Sequence, residues 1–184
     1  RKSIAEVGCC RFAATYRVTA ERDLEIFKEA GEYLEKKRRK LMVEWGIDPV
    51  PDEPLPPKKS HRAVGSQLPL YSFKTWGDLF NTRQKLALIT FAEKARLAYK
   101  KMIEEGYDDE YVKAVVSYLA FTLNRMAMSY NTLTQWQSGY EKMGNIFSRQ
   151  AFPMIWDYAE PNASGSSVRS WVSLFIFPIS FTSG

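Results

Sequence analysis

The sequence predicts a mainly α protein, an irregular helical bundle of about four to five helices with a long proline-rich connector and a short N-terminal strand. Three observations carry this expectation. Apolar residues recur at helical spacing through two long stretches of the second half. A third stretch opens with acidic residues and closes with basic ones, as a helix dipole favours. Between them, prolines at 49, 51, 54, 56 and 57 interrupt regular structure. With 45% hydrophobic and 14% aromatic residues, the chain has the composition of a globular protein and the length for one sizeable core. It reads as a single domain over 1–184: an N-terminal arm (1–18), a long helix (19–46), a proline-rich strap (47–74), a helical core (75–160), and a loop with an apolar tail (161–184).

Within the arm, Arg11 to Val18 suit a short strand. Thr19 is the expected N-cap of the first helix, which runs to about Trp45-Gly46 with Glu21 and Asp23 in its opening turn. Leu24, Phe27, Leu34, Leu41 and Trp45 form a narrow apolar seam, so this helix should dock along one line and leave most of its cylinder wet. From Asp48 the prolines enforce an extended strap, continuing to about Phe73, that crosses the surface or joins subdomains.

Asn81 or Thr82 opens the next helix, which runs to about Glu105 on a stripe of Leu88, Phe91, Ala92, Ala95, Tyr99, Met102 and Ile103 and is closed by Gly106. Asp108 or Asp109 caps another, in which Val112, Val115, Val116, Leu119, Leu123, Met126 and Tyr130 repeat out to about Asn131. The short connection implies an antiparallel pair. After a polar stretch, Tyr140, Met143, Ile146, Phe147 and Ala151 suggest a shorter helix that Pro153 ends or restarts. Residues 154–158 are a brief helical or turn segment, and 162–167 a polar loop. The tail Trp171-Val172-Ser173-Leu174-Phe175-Ile176-Phe177 is stopped by Pro178 and reads as a strand or a docked end.

The formal charge of +5 comes from 26 basic and 21 acidic residues, and Lys36-Lys37-Arg38-Arg39-Lys40 supplies five of the basic ones. Without that run the two signs balance, so the excess is one local patch. It can meet phosphates, or it can be a solvated helix face balanced by Glu29, Glu32 and Glu35. No stretch reaches the roughly 18 apolar residues of a membrane helix, and the start has no signal-peptide core, so a cytoplasmic protein without a membrane partner is expected. Adjacent Cys9-Cys10 and the single His61 make neither a disulfide framework nor a metal site, so no metal is expected.

Catalytic residues are not evident. The sequence holds no Gly-x-Gly-x-x-Gly, Walker loop or nucleophile elbow, Asp108-Asp109 reads as a helix cap, and Cys10 lacks a base. Two clusters place Arg-Gln beside aromatics: Trp76-Gly77-Asp78-Leu79-Phe80-Asn81-Thr82-Arg83-Gln84, and the stretch from Phe147 through Arg149-Gln150 and Trp156-Asp157 to Glu160. Arginine binds phosphate or stacks on a base and glutamine reads an adenine edge, so Arg83, Gln84, Arg149 and Gln150 join Lys36 to Lys40 as candidate nucleic-acid contacts. The structural alternative, favoured on chemistry alone, makes Trp76, Phe80, Phe147 and Trp156 core anchors, with Asp78 or Asp157 pairing with an arginine.

At these clusters the chain resembles the central region of prokaryotic adenine-specific DNA methylases, large proteins that also carry zinc-ribbon-like segments. Residues 70–80 with Arg83-Gln84 and Leu88-Ile89-Thr90-Phe91 are similar to that family's Trp/Phe-Gly-Asp-Leu-Phe, Arg-Gln and Ala-Leu-Thr-Thr-Phe pattern. Arg149–Glu160 resembles its Arg-Gln-Ala-x-Pro-Met-x-Trp-Asp-Tyr/Phe-Ala-Glu signature. Asp52-Glu53-Pro54-Leu55-Pro56 and Leu123-Asn124-Arg125 are weaker matches.

The likeness covers roughly Tyr16 to Glu160. It implies S-adenosylmethionine only for the full-length family, whose glycine-rich donor loop and Asp-Pro-Pro-Tyr catalytic loop do not occur in this chain; no cofactor is expected here. Where the family has Asn-Pro-Phe, this chain has Asn162-Ala163-Ser164, an ending that fits a truncated, split or frameshifted gene or a fragment. The resemblance therefore implies a non-catalytic helical region, inactive alone, that positions DNA or holds the methyltransferase segments together. The alternative is a stand-alone structural or interaction module. Expected partners are DNA, the methyltransferase segments or another chain, or a second copy in a homo-oligomer.

Overall fold

The computed structural model describes residues 3–6, 15–55, 68–137, 142–144, 146, 155–163 and 174. Strands β1 (Ser3–Glu6) and β2 (Thr15–Val18) pair antiparallel, with Ser3 opposite Val18 and Glu6 opposite Thr15. The arm thus contains a strand over the second half of the expected Arg11–Val18 stretch, with a partner for it, and residues 11–14 lie outside the described residues. Helices α1 (Glu21–Trp45), α2 (Thr82–Glu104) and α3 (Asp109–Ser129) make the architecture mainly α. These three α-helices have their bounds among the described residues, and Leu174 is helical as well.

Helix α1 begins one residue later than expected: the N-cap is Ala20, whose N–H donates to the Asp23 carboxylate at 2.8 Å. Asp23 thus supplies the returning half of a capping box, while Ala20 offers no side-chain acceptor to the first-turn N–H groups that Thr19 was expected to cap. The helix ends as expected at Gly46, in the left-handed region at φ 72°, where glycine carries no steric penalty. Successive contacts run in the same direction along α1 and α2: Gly31 lies against Thr82, Lys37 bonds Glu93, and Trp45 sits under Arg96. The two helices are therefore parallel. Leu34, Leu41 and Val50 bury against Ile89, flanked by Trp45 and Leu86.

This geometry corrects the expected seam. Leu24 is 59% exposed and Phe27 38%, because α2 starts beside Gly31: its Arg83 guanidinium lies over the Phe27 ring, and Leu24 stands almost a turn further out. Helical spacing identifies a face but not the length of its neighbour.

Asn81 caps α2 and Asp108 caps α3, accepting from the Tyr111 N–H at 3.1 Å. Gly106, at φ 81°, turns the chain between them and α3 packs back on α2. Met126 and Tyr130 near the end of α3 bury with Leu174, against Leu88 and Phe91 of α2. Leu174 is helical, so the tail at this point is docked rather than a strand.

Residues 51–55 run beside 74–77, while residues 56–67 of the expected proline-rich strap lie outside the described residues. Leu55 N–H donates to Lys74 O at 2.8 Å, Trp76 N–H to Glu53 O at 3.1 Å and Gly77 N–H to Pro51 O at 3.0 Å. A Cβ at Gly77 would stand 2.6 Å from Pro51 O, so the Trp-Gly-Asp motif needs glycine for this close approach. Residues 68–71 and 76–79 form single 3₁₀ turns. Leu55, Leu68, Leu79, Leu133 and Ile146 make a core against which Phe73, Trp76 and Phe80 pack.

The expected helix around 140–151 is corrected for its described part. Lys142–Met143 is a strand, β4, paired antiparallel with β3 (Trp136–Gln137), and Gly144 N–H donates to Gln135 O at 2.8 Å. Met143 and Ile146 are both buried, an arrangement that a hairpin followed by a turn produces as well as a helix does. Phe147 and Ala151 lie outside the described residues.

Candidate functional site

The two sequence clusters meet at the N-terminus of α2. Asn81 and Gln84 form a reciprocal capping box: Asn81 Oδ1 accepts the Gln84 N–H and Gln84 Oε1 accepts the Asn81 N–H, each at 2.9 Å. The Asn81 amide nitrogen then donates outward, to Tyr158 Oη at 3.0 Å and to Glu160 Oε1 at 2.8 Å. Glu160 Oε2 accepts from the Arg83 guanidinium, which also lies over the Phe27 ring at 5.6 Å. One carboxylate from the second cluster thus ties down two side chains of the first. The Gln84 side chain is 1% exposed and is occupied by this cap.

The turn after α3 closes the junction. Thr132 donates through its N–H (2.7 Å) and its hydroxyl (2.9 Å) to Leu79 O, and Ala159 N–H donates to Thr134 O at 3.1 Å. Asn131 covers the end of α3, donating to Ala127 O at 2.9 Å and Met128 O at 3.0 Å while accepting the Leu133 N–H at 3.0 Å. Burial and the nearby Glu160 charge push the Tyr130 hydroxyl above its ordinary range, so it stays protonated. Arg83 Nε, Gln84 Nε2, Ser129 Oγ and Thr134 Oγ1 are buried here without a partner among the described residues.

Asp78 corrects the expected arginine pairing. Its carboxylate accepts the Lys74 and Thr75 N–H groups, both at 2.8 Å. Burial acts to raise its pKa, but those N–H groups, the Thr75 side chain and the Lys85 charge outweigh it and hold the carboxyl below its ordinary value. Trp156 is likewise not a core anchor: it is 79% exposed and meets Tyr71 edge-on at 5.2 Å. Asp157 is exposed at the neighbouring bend. Trp76 and Phe80 do pack on the core. The arginine partner is Glu160, within the quoted motif but given no role by sequence. Arg149 and Gln150, like Cys9, Cys10 and His61, lie outside the described residues.

The basic run is divided. Lys37 donates to Glu93 at 2.6 Å, with Lys40 3.6 Å from the same carboxylate. Arg38 grips Asp48 through Nε (2.9 and 3.1 Å) and a terminal nitrogen (2.5 Å). The Arg38 bond outweighs burial and keeps Asp48 below the ordinary carboxylate range, and the Lys37 bond does the same for Glu93. Of the expected balancing acids only Glu35 approaches, 3.9 Å from Arg38. Lys36 and Arg39 are exposed and have no partner among the described residues.

No methyl-donor cradle is evident among the described glycines. The face of Gly77 is closed by Pro51 O and Val50, and Gly31, Gly46, Gly106 and Gly144 stand apart along the chain. No group of three or more metal-ligating side chains gathers among the described residues, nor is any helix there long and apolar enough to cross a membrane. Compared with protein-family models, curated proteins and solved structures, the chain matches none.

Proposed function

We propose that this chain is the non-catalytic helical scaffold of a DNA adenine methylase-like protein, holding the methyltransferase segments in register rather than reading DNA. The single observation that carries the reading is that Arg83, Asn81 and Gln84 bond to one another's backbone or to Tyr158 and Glu160, joining the two clusters through which the chain resembles that family. Asn81 and Arg83 are held by Glu160 and Gln84 is buried, which favours a structural role for them over contact with base edges or phosphates. In this reading, S-adenosylmethionine binding and methyl transfer belong to the family's flanking segments.

The division of the basic run supports the same choice. Each phosphate neutralised contributes about 0.9 to the slope of log affinity against log salt on duplex DNA. Five free cations would give a slope near 4 or 5, whereas Lys36 and Arg39 alone give about 2. Titrating labelled duplex with the purified chain over a salt series tests this. A slope of about 2 or less, unchanged in Arg83→Ala, supports a scaffold. A slope of roughly 4 or more, with affinity lost in Arg83→Ala while the fold remains intact, would establish a DNA-positioning surface instead.

A further inference from the structure

Two exposed surfaces of this chain are complementary in both charge and apolar character. On α1, positions 33, 36, 39 and 43 follow at steps of three and four and so share a face, which Ile47 extends just past the helix end. Tyr33, Lys36, Arg39, Val43 and Ile47 are all exposed there, on the side turned away from Leu34 and Leu41. At the far end of α2, Glu104, Glu105, Asp109 and Glu110 surround Tyr107 and Tyr111, whose exposed rings stack at 6.1 Å and 26°. Tyr118, 46% exposed and seven positions after Tyr111, continues the aromatic surface along α3. Lys113 bonds Asp109 at 2.6 Å and Glu110 at 3.0 Å, but Glu104 and Glu105 have no partner among the described residues.

We infer that copies of this chain associate head to tail, the basic outer stripe of α1 in one lying on the acidic, tyrosine-rich end of α2–α3 in the next. Within one molecule the surfaces cannot meet, because the α1 stripe faces away from α2, which carries the acidic end. A phosphate backbone would satisfy Lys36 and Arg39 but leave Tyr33, Val43 and Ile47 wet. The acidic aromatic end covers both kinds of group, and tyrosine faces also attract the Arg39 guanidinium. The contact is heterologous, so it extends with concentration unless the rotation closes. No residue of the α2 junction takes part, so this inference stands or falls independently of the scaffold reading.

Size-exclusion chromatography with light scattering on the whole chain, over a concentration series at low and high salt, reads it directly. The expected mass rises above the monomer with concentration and falls with salt. Lys36→Glu with Arg39→Glu, or Glu104→Lys with Glu105→Lys, each weakens association by roughly tenfold or more while circular dichroism stays unchanged. Mixing the two variants restores association, because each then offers the other a complementary face. A monomer at every concentration, or assembly indifferent to both swaps and to Tyr111→Ser, would overturn the inference.

Discussion

The two ends of α2 use similar residue types in opposite ways. At the N-terminal end, Asn81, Arg83 and Gln84 are capped, paired and covered, joining the 155–160 segment and the turn after α3. At the C-terminal end, Glu104, Glu105, Tyr107 and Tyr111 stand in solvent. What separates them is long-range chain, since Glu160, Tyr158 and Thr132 converge on the first end, whereas the second has only the short turn into α3. A charged or aromatic side chain becomes structural when a distant segment completes it, and otherwise remains available to a partner.

The difference can be tested by equilibrium denaturation. The largest effect is expected for Met126→Ala, at the base of α3 against Tyr130 and Leu174, which should cost about 3 kcal/mol. Gly77→Ala comes next, at about 2 kcal/mol, since its Cβ meets Pro51 backbone that has to move. Smaller than either is the pH effect of Asp78. Its pKa is depressed in the folded state, so its stabilisation is present at neutral pH and lost as pH falls through the carboxylate range. Asp78→Asn should flatten the acid limb of stability against pH; an unchanged limb would remove Asp78 from the account. At the opposite end, Tyr111→Ser should stay within about 0.5 kcal/mol of the parent. A cost there as large as that of Gly77→Ala would erase the distinction between the ends.

Much of the helical layout was legible in the sequence, because its signals are local. Asn81, Asp108, Gly106 and Gly46 each mark a helix end through a side chain or backbone geometry set within a few residues. The failures share a different cause. Leu24 follows the seam but outruns α2, two-residue strands such as Trp136–Gln137 carry no periodicity, and Trp156 looks like an anchor by type alone. The site was half legible: both clusters stand out in the sequence, and their chemistry allows a structural role as well as nucleic-acid contact. Its pairing was assigned to Asp78 or Asp157 because nothing local distinguishes those acids from Glu160, which lies 77 positions from Arg83.

The most direct test of the central claim is a double-mutant cycle on Arg83 and Glu160, with unfolding free energy and duplex affinity measured on the same four proteins. The scaffold account predicts a favourable coupling of about 1–2 kcal/mol in stability and none in DNA affinity. Coupling absent from stability but present in DNA binding would contradict it, and would return Arg83 to a nucleic-acid surface.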